Sequence, residues 1–260
     1  MLEGRSLRLV WCIALVAAFQ HHGASAQTKL ESERANTLAV INQIGDVAAA
    51  VSGAPGFAST IGQVDVTSRT IVLQRGNENH GIIEAEAEPS STAPRALLIQ
   101  DGDAHAAAIA QRGAATAIVV QSGLGNRAGL MQDSGGKGIA NQATILQFGS
   151  GNSVDARQRV PAEALSRGFG DENRILVSQD GERNSVSVDQ HGRGNLAGIR
   201  QDGLLNSTTI VQENDDNAIF VGQTGVGLVV NYFQSGAETA PVVINQNSGA
   251  PPVTVTRSGP

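Results

Sequence analysis

The sequence predicts an all-β protein folded as a β-solenoid, in which strand-turn arms of about 11 residues stack into a column. Glutamine recurs at a constant interval over a long block, apolar residues alternate before each glutamine, and glycine and asparagine follow it at fixed distances. The 260 residues are only 3% aromatic and 16% charged, which argues against a conventional aromatic-rich core.

The glutamine repeat divides the chain into arms. Its most regular part holds one unchanged spacing through six successive glutamines, from Gln179 to Gln234. Fifteen arms can be anchored in this way, and Gln63 marks a degenerate sixteenth arm. The predicted structural repeat residues are Gln43, Gln74, Gln100, Gln111, Gln121, Gln132, Gln147, Gln158, Gln179, Gln190, Gln201, Gln212, Gln223, Gln234 and Gln246.

Glycine and asparagine mark the end of each arm. Glycine stands two residues after the anchor in eleven of the fifteen arms, and asparagine stands five residues after it in seven. Both tolerate positive φ better than most residues, so Q-x-G-x-x-N predicts a strand that ends in a tight turn. In the most regular block the predicted turn residues are Gly181, Asn184, Gly192, Asn195, Gly203, Asn206 and Asn217.

The residues before each glutamine have the period of a half-buried strand. Val186 and Val188 precede Gln190 at alternate positions, and the polar Ser187 and Asp189 lie between them. Because one arm cannot bury its inner face alone, we expect two facing arms, about 22 residues, to form one rung. Amyloid-like stacking of the rungs would let the inward glutamines hydrogen-bond to one another as an amide ladder.

The segments outside the repeat have their own signals. Arg5 and Arg8, an apolar run and Ala24-Ser25-Ala26 follow one another in the order of a secretory signal peptide. Two stretches that contain proline predict loops, since proline does not fit a central strand. The predicted divisions are a signal peptide at 1–26, a polar leader at 27–35, the solenoid at 36–248 with interruptions at about 81–95 and 160–172, and a tail at 249–260.

The pattern resembles the curlin repeat of bacterial curli fibres, whose general form is S-x5-Q-x-G-x2-N-x-A-x3-Q. Gln179, Gly181, Asn184, Val186 and Gln190 follow this form, and the likeness covers most of residues 36–248. The resemblance implies a secreted structural protein, not an enzyme, that assembles with itself or with other curlin subunits into extracellular amyloid fibres for cell adhesion and biofilm matrix. It also implies export through the periplasm and an outer-membrane secretion pore, helped by export chaperones.

Two other classes of function stay open at this point. One is a non-fibrillar secreted β-solenoid adhesin, and the other is a carbohydrate-active enzyme of the β-helix type. Nucleic-acid binding is disfavoured, because loss of Glu3, Arg5 and Arg8 with the signal peptide leaves a net charge of −7 and no basic stripe.

The sequence predicts no catalytic, cofactor or metal site. His80, His105 and His191 are isolated from one another, and we expect all three to be solvated turn residues. Asp215 and Asp216 are adjacent, so their side chains should point apart, and we interpret them as solubilising charges.

Overall fold

Strands make up all the regular structure that is described. The structure is a computed structural model that describes residues 68–87, 93–135, 140–161, 172–236 and 240–259, together with the backbone of 38–42, 46–51 and 58–63. In these ranges every element is a β-strand, as the sequence predicts. The predicted signal peptide and leader, Gln43 and most of the second interruption lie outside the described residues.

The described residues form 19 strands. They are β1 (Leu38–Asn42), β2 (Asp46–Val51), β3 (Ala58–Gln63), β4 (Arg69–Arg75), β5 (His80–Glu86), β6 (Arg95–Asp103), β7 (Ala106–Arg112), β8 (Ala115–Leu124), β9 (Arg127–Asp133), β10 (Asn141–Ser150), β11 (Ser153–Arg159), β12 (Arg174–Glu182), β13 (Ser185–His191), β14 (Leu196–Leu204), β15 (Ser207–Glu213), β16 (Ala218–Val226), β17 (Val229–Ser235), β18 (Val242–Asn247) and β19 (Val253–Ser258).

The strands alternate between two sheets. The odd-numbered strands form a ten-stranded sheet in the order β1 to β19, and the even-numbered strands form a nine-stranded sheet in the order β2 to β18. We call them the odd sheet and the even sheet. Each strand pairs in parallel with the strand two places further along the chain, so the backbone completes one coil for every two strands. This topology confirms the predicted β-solenoid.

The glutamines set the register between rungs. In the even sheet Gln179 pairs with Gln201, which pairs with Gln223, and the sequence separation is 22 residues at each step. Gln147 and Gln179 are 32 residues apart because the second interruption lies between them, yet they still pair with each other. The insertion therefore leaves the column without changing its register.

The core is a thin apolar layer between the two sheets. In β13 Val186 and Val188 are buried, Ser187 and Asp189 are exposed, and Gln190 completes the inner face. Branched residues such as valine suit this pleated, half-buried backbone. The predicted inner and outer faces of this strand are thus the observed ones.

Three strands, β2, β5 and β19, lie where the sequence predicted none. We expected an interruption from about residue 81, but β5 runs to Glu86 and pairs with both β3 and β7. We expected a tail after Gly249, but β19 adds a tenth strand to the odd sheet. Only residues 87–94 then separate β5 from β6.

These strands were missed because the anchor glutamine has been replaced. Ala85 of β5 pairs with Gln111, and Arg257 of β19 pairs with Gln234. In β2, Val51 likewise pairs with Gln74. A strand needs backbone pairing and inward apolar residues, and both persist here without the amide.

Candidate functional site

A continuous row of buried glutamines runs through the even sheet. Each Nε2 donates a hydrogen bond to Oε1 of the glutamine on the next rung, and the residue nearer the N-terminus is the donor in every case. From Gln100 the row passes through Gln121 (2.8 Å), Gln147 (2.8 Å), Gln179 (2.9 Å), Gln201 (2.8 Å), Gln223 (2.8 Å) and Gln246 (2.9 Å), and Gln74 donates to Gln100 at its start. The row therefore has a direction.

From Gln100 to Gln223 the second hydrogen of each amide group is also used. Gln201 Nε2, for example, donates to the carbonyl oxygen of Ser185 across the core at 3.1 Å, besides its bond to Gln223. Burying a primary amide is costly unless its hydrogen bonds are made. Stacking of identical rungs satisfies these side chains, so the ladder exists only as long as the stack does.

The odd sheet carries a shorter row that stops near the C-terminal end. It passes through Gln111, Gln132, Gln158, Gln190 and Gln212, with distances between 2.8 and 3.1 Å. At Gln234 the pattern changes, because the hydroxyl of Tyr232 donates to Gln234 Oε1 and Gln234 Nε2 has no hydrogen-bond partner among the described residues. The next residue in the row is Arg257, which offers no acceptor.

The asparagines that follow many of the arms form a second kind of ladder, at the corners between strands. Asn184 Oδ1 accepts the backbone N–H of Asn206 at 3.0 Å, and Asn184 Nδ2 donates to the carbonyl of Gly203 at 2.9 Å. Both partners belong to the next rung. Asn195 Oδ1 accepts the N–H of Asn217 in the same way. Each of these side chains is buried and holds two successive corners together.

The conformation of these asparagines differs from our expectation. The left-handed backbone lies one residue earlier, at Arg183 (φ 54°) and Leu205 (φ 56°), and not at Asn184 or Asn206. Asparagine is placed here for its side-chain hydrogen bonds to the next rung. A single arm does not contain those bonds, so its sequence suggested only a turn.

The glycine two residues after the anchor is required by close stacking. Gly203 has φ +124°, and a Cβ atom added there would lie 2.0 Å from the carbonyl oxygen of Gly225 on the next rung. A real Cβ cannot approach a backbone atom so closely. Only glycine allows both the backbone angle and the rung spacing at this position.

His105 takes the asparagine position in one corner, and our expectation of a solvated side chain was wrong. It is fully buried. Its Nδ1 accepts the N–H of Asn126 at 3.2 Å, and its Nε2 lies 3.4 Å from the carbonyl of Asp101. The neutral imidazole thus replaces the amide in the ladder. Burial lowers the pKa of His105, and this effect outweighs the hydrogen bond to Asp101 and the carboxylates of Asp101 and Asp103, which raise it.

Asn141 and Asn173 belong to the corner ladder, although neither stands five residues after a glutamine. Asn173 Oδ1 accepts the N–H of Asn195 at 3.0 Å, and Asn173 Nδ2 donates to the carbonyl of Gly192 at 2.7 Å. Insertions separate both residues from the preceding glutamine. Asn141 stands six residues before the anchor Gln147, and Asn173 stands six before Gln179, so a backward count from the anchors would have found them.

The other polar candidates do not gather into a site. His80 and His191 are exposed, and Asp215 forms an ion pair of 2.9 Å with Arg193. Within the described residues, no group of three or more His, Cys, Asp or Glu side chains could hold a metal ion. The same part of the chain contains no helix long and apolar enough to span a membrane. The ladders and the strand edges where they end are the remaining candidate site.

Comparison with known proteins supports this view of the repeat. The family model of the curlin associated repeat matches residues 170–203, which cover β12, β13 and most of β14. Searches of curated proteins and of solved structures found no match. The matched segment contains Gln179, Gln190 and Gln201, and its register continues through the neighbouring rungs. Residues 170–203 thus match a curlin associated repeat, and this repeat lies within a β-solenoid.

Proposed function

We propose that this protein is a secreted, non-enzymatic fibre subunit whose copies stack end to end into extracellular amyloid fibres. The observation that carries the proposal is the one-directional amide ladder, which continues to the last strand of the even sheet. Because every step has its donor on the N-terminal side, one end of the column presents donors and the other presents acceptors. Copies would then stack head to tail.

The C-terminal rung is built to be covered by another rung. Val253 and Val255 of β19 lie on the inner face and pack against the core, yet they remain half-exposed. Gln246 Nε2 donates to the carbonyl of Pro251 at 2.8 Å, and its second hydrogen has no partner among the described residues. Open strand edges with unpaired backbone groups recruit further strands. A following rung would cover Val253 and Val255, accept the second amide hydrogen of Gln246 and pair with the open strand edges.

The cellular part of the proposal rests on the sequence. Residues 1–26 would direct secretion and be removed, and the polar segment 27–35 would serve export. By family resemblance, the chain would pass the periplasm and an outer-membrane pore with export chaperones and would act in adhesion and biofilm matrix. Its partners would be further copies or other curlin subunits.

A matched pair of substitutions in β19 tests the proposal. Val255→Asp places a charge on the inner face of the open rung, where a following rung must pack, and Thr256→Asp places it on the exposed outer face. We expect Thr256→Asp and the unaltered protein to form sedimentable fibres that bind thioflavin, and Val255→Asp to remain monomeric with unchanged β-sheet circular dichroism. An unaltered protein that stays monomeric would support a non-fibrillar adhesin instead.

A further inference from the structure

The described solenoid begins and ends in the same sheet. Its first strand, β1, and its last strand, β19, are the two edges of the odd sheet, and the even sheet runs only from β2 to β18. The column therefore has ten strands on one side and nine on the other. This difference in strand number limits how the sheets of one copy can pair with the sheets of the next.

Stacking without rotation would leave a gap. If β1 of a second copy paired with β19, the odd sheet would continue at the normal spacing of about 4.8 Å. The two even-sheet edges, β18 and β2 of the next copy, would then lie about 9.6 Å apart, with one strand missing between them. Backbone groups of both edges would be unpaired beside the core, which is costly.

A half turn about the column axis removes the gap. We propose, on the basis of the assembly put forward above, that successive copies are related by this half turn, so that β1 of one copy pairs with β18 of the copy before it. Strand β2 then pairs with β19 of the earlier copy. Both sheets continue at about 4.8 Å, and each fibre sheet alternates between ten and nine strands from one copy to the next.

The two arms of a rung are similar enough for this exchange. Within one coil, Gln179 of the even sheet and Gln190 of the odd sheet both lie on the inner face, one arm apart in the sequence. The corners that follow them carry the same ladder residues, Asn184 and Asn195. The chain itself thus passes from one sheet to the other by a half turn and half a rung, and the proposed contact repeats that step between copies.

The facing strands also match in register. Ile41 of β1 pairs with Ile61, which pairs with the fully buried Ile83, so Ile41 occupies an inner position. Ile244 occupies the equivalent inner position of β18. Pairing of β1 with β18 therefore aligns the register position of Ile41 with that of Ile244.

Paired cysteines distinguish the two arrangements. Val40 is on the outer register of β1, because it pairs with Thr60, which pairs with the exposed Ile82. Its neighbour in the preceding copy is Val243 of β18 with the half turn and Thr254 of β19 without it. Parallel partners lie at a Cα spacing that a disulfide can bridge. The pairs Val40→Cys/Val243→Cys and Val40→Cys/Thr254→Cys would be made in a Cys12→Ser chain, which has no other thiol.

We expect fibres of the Val40→Cys/Val243→Cys chain to give a ladder of disulfide-linked multimers on oxidation, and fibres of the Val40→Cys/Thr254→Cys chain to give monomers. The opposite result, or fibres of both chains without cross-links, would overturn the half turn. Failure of the Cys12→Ser chain to form fibres would instead contradict the proposed function.

An image reconstruction of unsubstituted fibres gives the same distinction without cysteines. The half turn predicts that the shorter seven-residue strands of one copy continue as the longer nine-residue strands of the next, with an axial repeat between copies of about 46 Å. Sheets that keep one strand length from copy to copy would contradict it.

Discussion

The middle block, residues 95–159, and the C-terminal block, residues 174–247, share one register but differ at some inner and outer positions of the even sheet. One inner row of the even sheet reads Ala96, Ala117 and Ala143 in the middle block, then Ile175, Ala197 and Ile219 in the C-terminal block. One outer row of the same sheet reads Ile99, Val120 and Leu146, then Ser178, Arg200 and Gly222.

The middle block compensates for its small inner residues on the outside. Leu97 and Val120 point away from the core, yet only 1% and 3% of their surfaces are exposed. Leu97 is flanked in register by two further aliphatic residues, Ile71 and Ile118. Both blocks contain the rung-to-rung amide ladder. They differ in which positions of the strands carry buried apolar side chains. The backbone stack defines this fold more than the inside-outside pattern does.

The largest expected effect is a charge in the C-terminal core. Val188→Asp should lower the free energy of unfolding by at least about 4 kcal/mol, because an unpaired carboxylate would be buried between the sheets. Ser185→Asp on the exposed face of the same strand is the control and should change it by less than about 0.5 kcal/mol. Urea titration of the two monomers measures the difference, and equal losses would show that the strand register is wrong by one residue.

A glycine substitution should come next. Gly203→Ala in the C-terminal block should cost about 3 kcal/mol, since its Cβ would collide with the carbonyl of Gly225 and its φ is positive. Gly129→Ala in the middle block is the matched control, because its nearest neighbours lie at 3.8 Å and its backbone is that of an ordinary strand. A similar urea midpoint for both variants would contradict the close glycine stacking.

The outer face should matter in one block only. Val120→Ser should cost about 2 kcal/mol, because Val120 is buried among stacked aliphatic residues. Arg200→Ser at the corresponding place of the C-terminal block should cost less than about 0.5 kcal/mol. If thermal unfolding gives equal changes for the two variants, the contrast between the blocks does not hold.

The smallest expected effect is a pH dependence of the free energy of unfolding, and it comes from one side chain of the middle block, His105. His105 binds fewer protons in the folded chain than in the unfolded chain, since burial lowers its pKa. The free energy of unfolding should therefore fall as the pH drops below the ordinary histidine value of about 6.5, and the fall should end below the lowered pKa. His105→Asn restores the amide of the other corners and should flatten this slope.

The control for this prediction is His80→Asn, which replaces an exposed histidine on the neighbouring rung and should leave the slope unchanged. Urea midpoints measured on both sides of the ordinary histidine pKa give the comparison. A His105→Asn variant with the slope of the unaltered protein would show that another group controls it.

The solenoid could be predicted from sequence because its register repeats in one residue type. Glutamine at a constant interval indicated the strands, their inner faces and the pairing of one rung with the next. The strands β2, β5 and β19 were not found, because Val51, Ala85 and Arg257 leave only a short alternation as signal.

The corner residues were harder to interpret than the strands. Asn184 and His105 are placed by hydrogen bonds to the next rung, which lies about two arms away along the chain. A local pattern shows the turn but not these partners. For the same reason the burial of Val120 could not be inferred from β8 alone, since its neighbours Ile99 and Leu146 belong to other rungs.

X-ray diffraction from aligned fibres of this protein tests the central claim most directly. The account predicts a meridional reflection at about 4.8 Å from strands stacked along the fibre and an equatorial reflection at about 10 Å from the two facing sheets. The same reflections should appear in fibres seeded by preformed ones. The claim that this chain assembles by continuing its own stack would be contradicted if the protein remained monomeric at high concentration. It would also be contradicted if the reflection from the strand spacing lay on the equator of the fibre pattern.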